Sequence, residues 1–508
     1  ERTAAMLNVA PKGKLIVLDL ATNEHAVWRD QPAVRDAGWI YNTLHNYGQT
    51  TNLYGNLQAY EDAAYRDLSD PNHGNMLGMG LTPEGIDQNP VVYELMTDAM
   101  WRHEHIDVSR WLKTYAASRY GSAPDEVVKA WSLLQQTVYG PLGGGRDSWR
   151  GRPSLGPSVP GFDVGKVREA SRLLLSQAPS LHSNTLYRRD LVDVTKTWLG
   201  ALADAYLTAA LASFDDDKTT YSSYKAKYLD VLHDLDRLMA TRPEHRLSTW
   251  IADARKWGTT PAEKDHMERN ARMQVTVWGG PELYDYANKE WAGLNEDFMR
   301  RRWELFFEAL ERAGSTGALQ VPDFMKWETS WAMSIAPVRE SKPEDSVSVA
   351  SDVFAKYGDA PYSVEQMLHL DADPGIAVGK PTTDSGGAEG SGVATLATDG
   401  KISGGFWSAS PAPQWLQIDL QSDHPINGVW LFPYYGDGRY YQYKVETSLD
   451  GQTWTRVVDE SANTRPSTFR GYRHSFPATN GRYVRVTMLK NSANIGVHLY
   501  EVKVYESK

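Results

Sequence analysis

Cysteine is absent from the 508 residues of the chain, which removes disulfide bridges, thiol nucleophiles and cysteine-ligated zinc from consideration. Export stays open, because proteins of oxidising compartments need not carry bridges. No run of eighteen apolar residues occurs, so no membrane-spanning helix is expected, and the opening "ERTAAMLNV" lacks the charged start and apolar core of a signal peptide. Blocks of Lys and Arg are missing as well, and the net charge is −11. A nucleic-acid surface needs a concentrated basic face, so nucleic acid is not an expected partner. Neutral or cationic ligands suit the chain better. What is abundant is aromatic: 18 Trp and 27 Tyr offer flat apolar faces with a polar handle, the kind of surface that stacks on sugar rings, although most such residues serve cores. The length allows two to four domains.

Residues 1–104 alternate strand and helix signals. "LIVLDL" at Leu15–Leu20 reads as a parallel strand covered on both faces, "GWIYNTLHN" at Gly38–Asn46 as a second strand and "NMLGMGL" at Asn75–Leu81 as a third. Each ends in polar residues: Asp19, then His45 and Asn46, then Glu84. In a barrel of β/α units such ends form one rim and face the reaction site. Asn89 and Pro90 fit a helix cap and first turn after Glu84. Taken alone, Glu84 reads more readily as a solvated loop carboxylate or a helix-start charge than as a pocket residue. Only three of eight units are present, so the expectation is the C-terminal part of a (β/α)8 barrel.

Residues 105–365 change to helical periodicity. Leu191, Val194, Trp198, Leu202 and Ala205 recur at three or four, as do Tyr221, Tyr224, Tyr228, Val231, Leu235 and Leu238. This predicts an all-α domain, interrupted by "VWGGPELYDY", where a Gly-Gly-Pro turn is flanked by Trp278, Tyr284 and Tyr286. Residues 366–508 begin with the loop-like "KPTTDSGGAEGSGVAT" at Lys380–Thr395 and continue as short alternating runs with a turn at Asp450-Gly451, the pattern of a β-sandwich.

Taken together, "PKGKLIVLDL", "WIYNTLHNYG", "GLTPEGIDQNPVVYELM", "WLKTYAASRYG", "GRPSL" and "VTVWGGPELYDYANKEWAGL" resemble glycoside hydrolase family 89, the α-N-acetylglucosaminidases, over about residues 1–360. The resemblance implies a catalytic barrel whose active site is completed by an all-helical domain, and retaining hydrolysis by two glutamates without a cofactor. Glu84 matches the nucleophile, and the acid/base is expected upstream of this chain. Asp19 is expected to be a structural partner. Leu44, His45, Asn46 and Tyr47 match pocket-lining residues, as do Trp278, Leu283 and Tyr286 from the helical domain. For His45 a core histidine bonded to a neighbouring backbone group is an equal reading. The family's "HNFGG" is "HNYGQ" here. A pocket histidine of some relatives has no counterpart in "YGPLGGGRDSWRGRPSL", where Arg146, Asp147 or Trp149 would replace it.

"ATDGKISGGFWSAS", "QWLQIDL", "YKVETSLDGQTWTRV", "RYVRV" and "YEVKVYE" resemble carbohydrate-binding module family 32, the F5/8 type C or discoidin-like sandwich (jelly roll). This implies a structural calcium held by Asp399 and Glu501 and sugar contacts from Tyr435, Arg439, Tyr440, Asn491, Asn494 and His498. The expected protein is a secreted, bacterial exo-α-N-acetylglucosaminidase acting on mucin-type or heparan-like glycans with terminal α-linked GlcNAc. The alternative is a non-catalytic glycan-binding or adhesion protein. Oligomeric state is not legible in the sequence.

Overall fold

The computed structural model describes the chain except residues 1, 12, 86–88, 142–147, 158–159, 216, 279–282, 284, 315–318, 387–391 and 508. The chain forms two compact units, one of Glu1–Arg152, Pro160–Ala203 and Leu229–Ala360, the other of Pro153–Val159, Asp204–Tyr228 and Pro361–Lys508.

The first unit opens with three parallel strands, β1 (Val17–Asp19), β2 (Trp39–Thr43) and β3 (Met76–Leu81), in the order β1-β2-β3. Helix Pro32–Ala37 joins β1 to β2 and helix Leu57–Ser69, capped by the Asn56 side chain on Ala59 N–H, joins β2 to β3. This is the β/α alternation of a barrel. Apolar burial in the strands is confined to the middle one: Trp39 and Tyr41 of β2 are inaccessible, whereas Leu15, Ile16, Leu18, Leu20 and Leu77 are exposed. The expected coverage of the first strand on both faces is not found within this chain, where β1 is the outer member of the order β1-β2-β3 and Leu18 is exposed. Thr82 ties the strand ends together: its N–H donates to Thr43 O (3.1 Å) and its hydroxyl to Leu20 O (2.7 Å). Helix Pro90–Ala99 starts as expected at Pro90, but the Asn89 side chain makes no cap bond. Its amide donates instead to Asn52 O (2.8 Å) and accepts from the Tyr139 hydroxyl (2.8 Å), anchoring the helix to its neighbours.

The helical periodicities correspond to helices Thr185–Ser213 and Lys218–Ala240, whose Leu191, Val194, Trp198, Leu202, Tyr228, Val231, Leu235 and Leu238 are buried. Each such side chain removed from water stabilises the fold by about 1.5–3 kcal/mol.

In the second unit, β4 (Thr382–Asp384), β5 (Trp407–Ala409), β6 (Gln414–Pro433), β7 (Tyr441–Ser448), β8 (Thr455–Glu460), β9 (Tyr472–Asn491) and β10 (Val497–Glu506) form an antiparallel sandwich. The order is β5-β10-β6-β9-β7-β8, with β4 on β6. The two 20-residue strands β6 and β9 carry register shifts at Asp419/His424 and Ile426/Gly428. Such irregularities bend a strand and increase its twist. The alternating Leu416, Ile418, Leu420 and Val484, Val486, Met488 fill the core. Asp450 accepts from the N–H groups of Gln452 (2.8 Å) and Thr453 (2.7 Å), and Gly451 takes φ +73°, so the Asp-Gly pair makes the β7–β8 turn. The loop expected over Lys380–Thr395 is in part a strand: Thr382–Asp384 pairs with Leu416–Ile418, as β-branched threonines favour.

Candidate functional site

Glu84 follows β3 beyond the Thr82 anchor, and its Oε2 accepts two hydrogen bonds of 2.6 Å, one from Gly48 N–H and one from the Tyr286 hydroxyl. These partners come from the turn after β2 and from the helical region. Together they bring Glu84 to a cavity of about 190 Å³ whose walls include Trp250, Trp278, Tyr286 and Trp291. Trp278 stacks on Tyr286 at 5.6 Å with 25° between the rings and keeps 44% of its surface exposed, so an indole face is available to a ligand. Glu84 is the one carboxylate among the described residues that line the cavity.

Gly48 is the hinge of this arrangement. Its φ is +68°, and a Cβ on it would stand 1.8 Å from Tyr286 O, so no other residue fits. Its carbonyl accepts from the buried Lys289 ammonium at 2.7 Å, which fixes the peptide whose N–H meets Glu84. Tyr47 beside it donates to Glu24 (3.0 Å). Burial first, then Glu24, with Glu84 and Tyr286 adding, pushes its phenol up to about 12.

The other residues singled out in the sequence are placed as follows. Leu44, His45 and Asn46 are buried and stand outside the described lining. His45 Nε2 lies 2.7 Å from Tyr54 O, its ring stacks on Tyr54 at 4.2 Å, and burial lowers its pKa to about 4, a setting that suits its core-histidine reading. Leu44 is pinned through its N–H and carbonyl by the Asn23 amide. Leu283 is exposed and also outside the lining. Asp19 is buried, with its carboxyl raised by desolvation and partly offset by backbone N–H groups of Trp28 and Val27, as a structural partner would be. Trp149 is a core residue whose carbonyl accepts from Trp303 Nε1 (3.1 Å). Arg146, Asp147, Tyr284 and the Gly-Gly-Pro turn lie outside the described residues. Gly48, Trp250 and Lys289 went unread: only the glycine after an aromatic in "NYGQ" carried a local signal, and the other two depend on contacts from distant segments.

On the sandwich, Arg439 is gripped by Asp437 (Nε 2.8 and 2.9 Å) and lies over the Tyr434 ring at 4.5 Å. His498 accepts or donates at Nδ1 to the Tyr441 hydroxyl (2.9 Å) and meets Phe406 edge-on at 5.4 Å; burial first and then Arg439 lower its pKa to about 4. Buried Asn491 donates to Asn494 Oδ1 (2.8 Å) and Gly496 O (2.9 Å), shaping the loop that carries exposed Asn494, and Tyr440 N–H donates to Ser492 Oγ in that same loop. Arg439, Asn491, Asn494 and His498 thus share one end of the sandwich with Tyr434 and Phe406, which the sequence reading omitted. Tyr435 turns inward. It packs between Phe469 (5.0 Å) and Tyr500 (5.5 Å) and borders a cleft of about 30 Å³, room for a water and not for a sugar.

Asp399 lies near enough to Glu501 for their charges to interact. Glu501 is inaccessible; its Oε2 accepts from Gly400 N–H (3.1 Å), its Oε1 has no partner, and burial, with Asp399 nearby, raises the carboxyl to about 8. A buried oxygen without a donor beside a second carboxylate fits a hard cation such as calcium.

The family profile for the α-N-acetylglucosaminidase (NAGLU) tim-barrel domain matches residues 1–103, that for the α-N-acetylglucosaminidase C-terminal domain residues 111–356, and that for the F5/8 type C domain residues 381–501. Human α-N-acetylglucosaminidase is 34% identical over 372 residues, 70% of this chain and 49% of that protein. Among solved structures, a family 89 glycoside hydrolase from Clostridium perfringens in complex with PUGNAc is 26% identical with a TM-score of 0.64, covering 72% of this chain and 43% of that one. The Clostridium perfringens structure in complex with its substrate GlcNAc-α-1,4-galactose gives 26% and 0.62, over 71% and 43%. The chain spans about half the length of the curated relative it matches. It carries the barrel-domain and helical C-terminal-domain sequences of the family 89 α-N-acetylglucosaminidases, followed by an F5/8 type C domain.

Proposed function

We propose that the full-length protein is a secreted retaining exo-glycosidase that removes terminal α-linked GlcNAc from mucin-type or heparan-like glycans, with Glu84 as nucleophile and the sandwich as a glycan-targeting module. The observation that supports this most is the setting of Glu84: Oε2 takes both hydrogen bonds, from Gly48 and Tyr286, which leaves Oε1 to attack at an aromatic-walled cavity. The Clostridium perfringens relative, bound to GlcNAc-α-1,4-galactose, supports the substrate class. In the first step Oε1 bonds to the anomeric carbon as the glycosidic C–O bond breaks, and a second carboxyl group about 5–5.5 Å away protonates the leaving oxygen. In the second, water attacks the same carbon, gives its proton to that group and frees Glu84. The second carboxyl group is expected from a barrel strand outside this chain. Hydrolysis of an aryl α-N-acetylglucosaminide should release the α anomer first, read by proton NMR; a β product or no turnover would contradict the proposal. The match of residues 381–501 to the F5/8 type C domain supports a second reading, a glycan-binding protein without turnover, and the same assay separates the two.

The module should take a sugar at the end built by Tyr434, Arg439, Asn494 and His498, with avidity coming from its attachment to the hydrolase. In calorimetric titration, Arg439→Ala should weaken binding of Gal-, GalNAc- or GlcNAc-terminated glycans at least about tenfold, a loss expected of a charge-assisted contact, and Tyr435→Phe should not. An unfolded histidine protonates near 6.5 while His498 stays neutral down to about 4. His498 should therefore cost the module stability as pH falls through that window, read as the difference between wild type and His498→Gln because the raised Glu501 carboxyl titrates in the opposite sense, and sugar binding should be constant between pH 6 and 8. Calcium at Asp399 and Glu501 would stabilise the folded module by mass action. Chelation should lower its melting temperature, and Glu501→Gln should abolish the response to added calcium.

A further inference from the structure

The Tyr286 phenol reaches Glu84 from a backbone that has just passed through an unusual conformation: Asp285 has φ +53°, a region that non-glycine residues other than Asn and Asp seldom occupy. That conformation is held by charge. Both Asp285 oxygens accept from Nη1 of Arg302 (3.0 and 3.1 Å), and Arg302 is inaccessible to solvent. The same nitrogen reaches Glu328 Oε1 at 3.0 Å, and Glu328 is held from its other side by Arg152, whose Nε lies 2.9 and 3.0 Å from its two oxygens. Two guanidinium groups thus neutralise two carboxylates in the interior, the balance that buried charge requires. Three residues on, Asn288 donates to Arg150 O (3.0 Å), which Arg302 Nη2 also meets, and Lys289 then reaches Gly48 O. The segment Asp285–Lys289 is clamped at Asp285, Asn288 and Lys289, and the one side chain of that segment that meets Glu84 is Tyr286.

We propose that Asp285 and Arg302 are positioning residues acting through Tyr286: by fixing the left-handed turn they set its phenol on Oε2 of Glu84 and so keep Oε1 turned to the anomeric carbon. This rests on the proposed role of Glu84. Loosening the turn frees the phenol, the carboxylate gains a rotation, and the attacking oxygen is correctly aimed for a smaller share of the time. A residue acting this way affects the chemical step through one partner only.

The test is a double-mutant cycle in the full-length protein on an aryl α-N-acetylglucosaminide. Tyr286→Phe and Asp285→Ala should each lower kcat about tenfold to a hundredfold with KM changed less than about threefold, and Asp285→Ala should add less than about threefold once Tyr286 is already Phe. Asp285→Asn, which tolerates the same φ and still offers Arg302 an oxygen, should keep most of kcat; it carries the cycle if Asp285→Ala does not fold. Effects that multiply would overturn the proposal, as would a loss expressed in KM alone. Wild-type protein that hydrolyses no α-N-acetylglucosaminide would refute the proposed function instead. The positioning claim would then be read without turnover: the near-ultraviolet circular dichroism of the Trp278–Tyr286 pair, defined by the change on Tyr286→Ala, should vanish in the Asp285→Ala background, and its persistence would overturn the proposal.

Discussion

Replacing Glu84 by Gln in the full-length protein is expected to lower turnover of an aryl α-N-acetylglucosaminide by on the order of 10⁴-fold or more, while the melting temperature moves little. The two halves of this expectation have separate causes. Glutamine keeps the shape and one carbonyl oxygen, so it can still accept from Gly48 N–H and the Tyr286 hydroxyl, both 2.6 Å from Oε2 of the glutamate. What it loses is the charge that attacks the anomeric carbon and the capacity to leave from it in the second step. Because Glu84 is exposed, its replacement opens no cavity in the core. Near wild-type turnover in this variant would mean that the carboxylate only decorates the rim, the plainer of its two readings in the sequence.

The second large effect is expected at Gly48. Alanine there must take φ +68°, which costs an L-residue about 1–2 kcal/mol, and must also move Tyr286 O out of a 1.8 Å overlap. Either shift breaks the approach of Gly48 N–H to Glu84 or the Lys289 bond to its carbonyl, so Gly48→Ala should lose about 2–4 kcal/mol of stability and at least about 10²-fold in kcat/KM. Gly78 in β3 is the control: a Cβ there meets no atom within 4 Å, and Gly78→Ala should stay within about 0.5 kcal/mol of wild type. Denaturant melts read beside kinetics distinguish the two positions; a Gly48→Ala protein as stable and active as the control would show that the turn after β2 is not locked.

The three parallel strands, their order and the polar rim at their ends were legible because apolar runs and polar stops are local properties of the chain. The sandwich strands were legible for the same reason, their period of two being written in consecutive residues. The role of Gly48 was not: what forbids a side chain there is the carbonyl of Tyr286, contributed by a segment far along the sequence. Nor was the Asp285–Arg302–Glu328–Arg152 network, whose members look like ordinary surface charges of two helices, a turn and a loop until the fold closes over them. The packing of Tyr435 is remote in the same way, since its ring meets Phe469 and Tyr500 from distant stretches of the chain. His45 shows the reverse case, since its partner Tyr54 O lies only nine residues on, and the sequence leaves its two readings even.

The central claim, that Glu84 is the nucleophile, is tested most directly by shortening it. Glu84→Gly in the full-length protein removes the attacking group and opens space at the same face of the sugar for azide, a small anion able to take its place on a substrate with an activated leaving group. One displacement inverts where two retain, so the account predicts azide-dependent recovery of activity with the β-N-acetylglucosaminyl azide as product, identified by its anomeric coupling in proton NMR. Recovery of an α-azide, or turnover that is unchanged by the substitution and indifferent to azide, would contradict it.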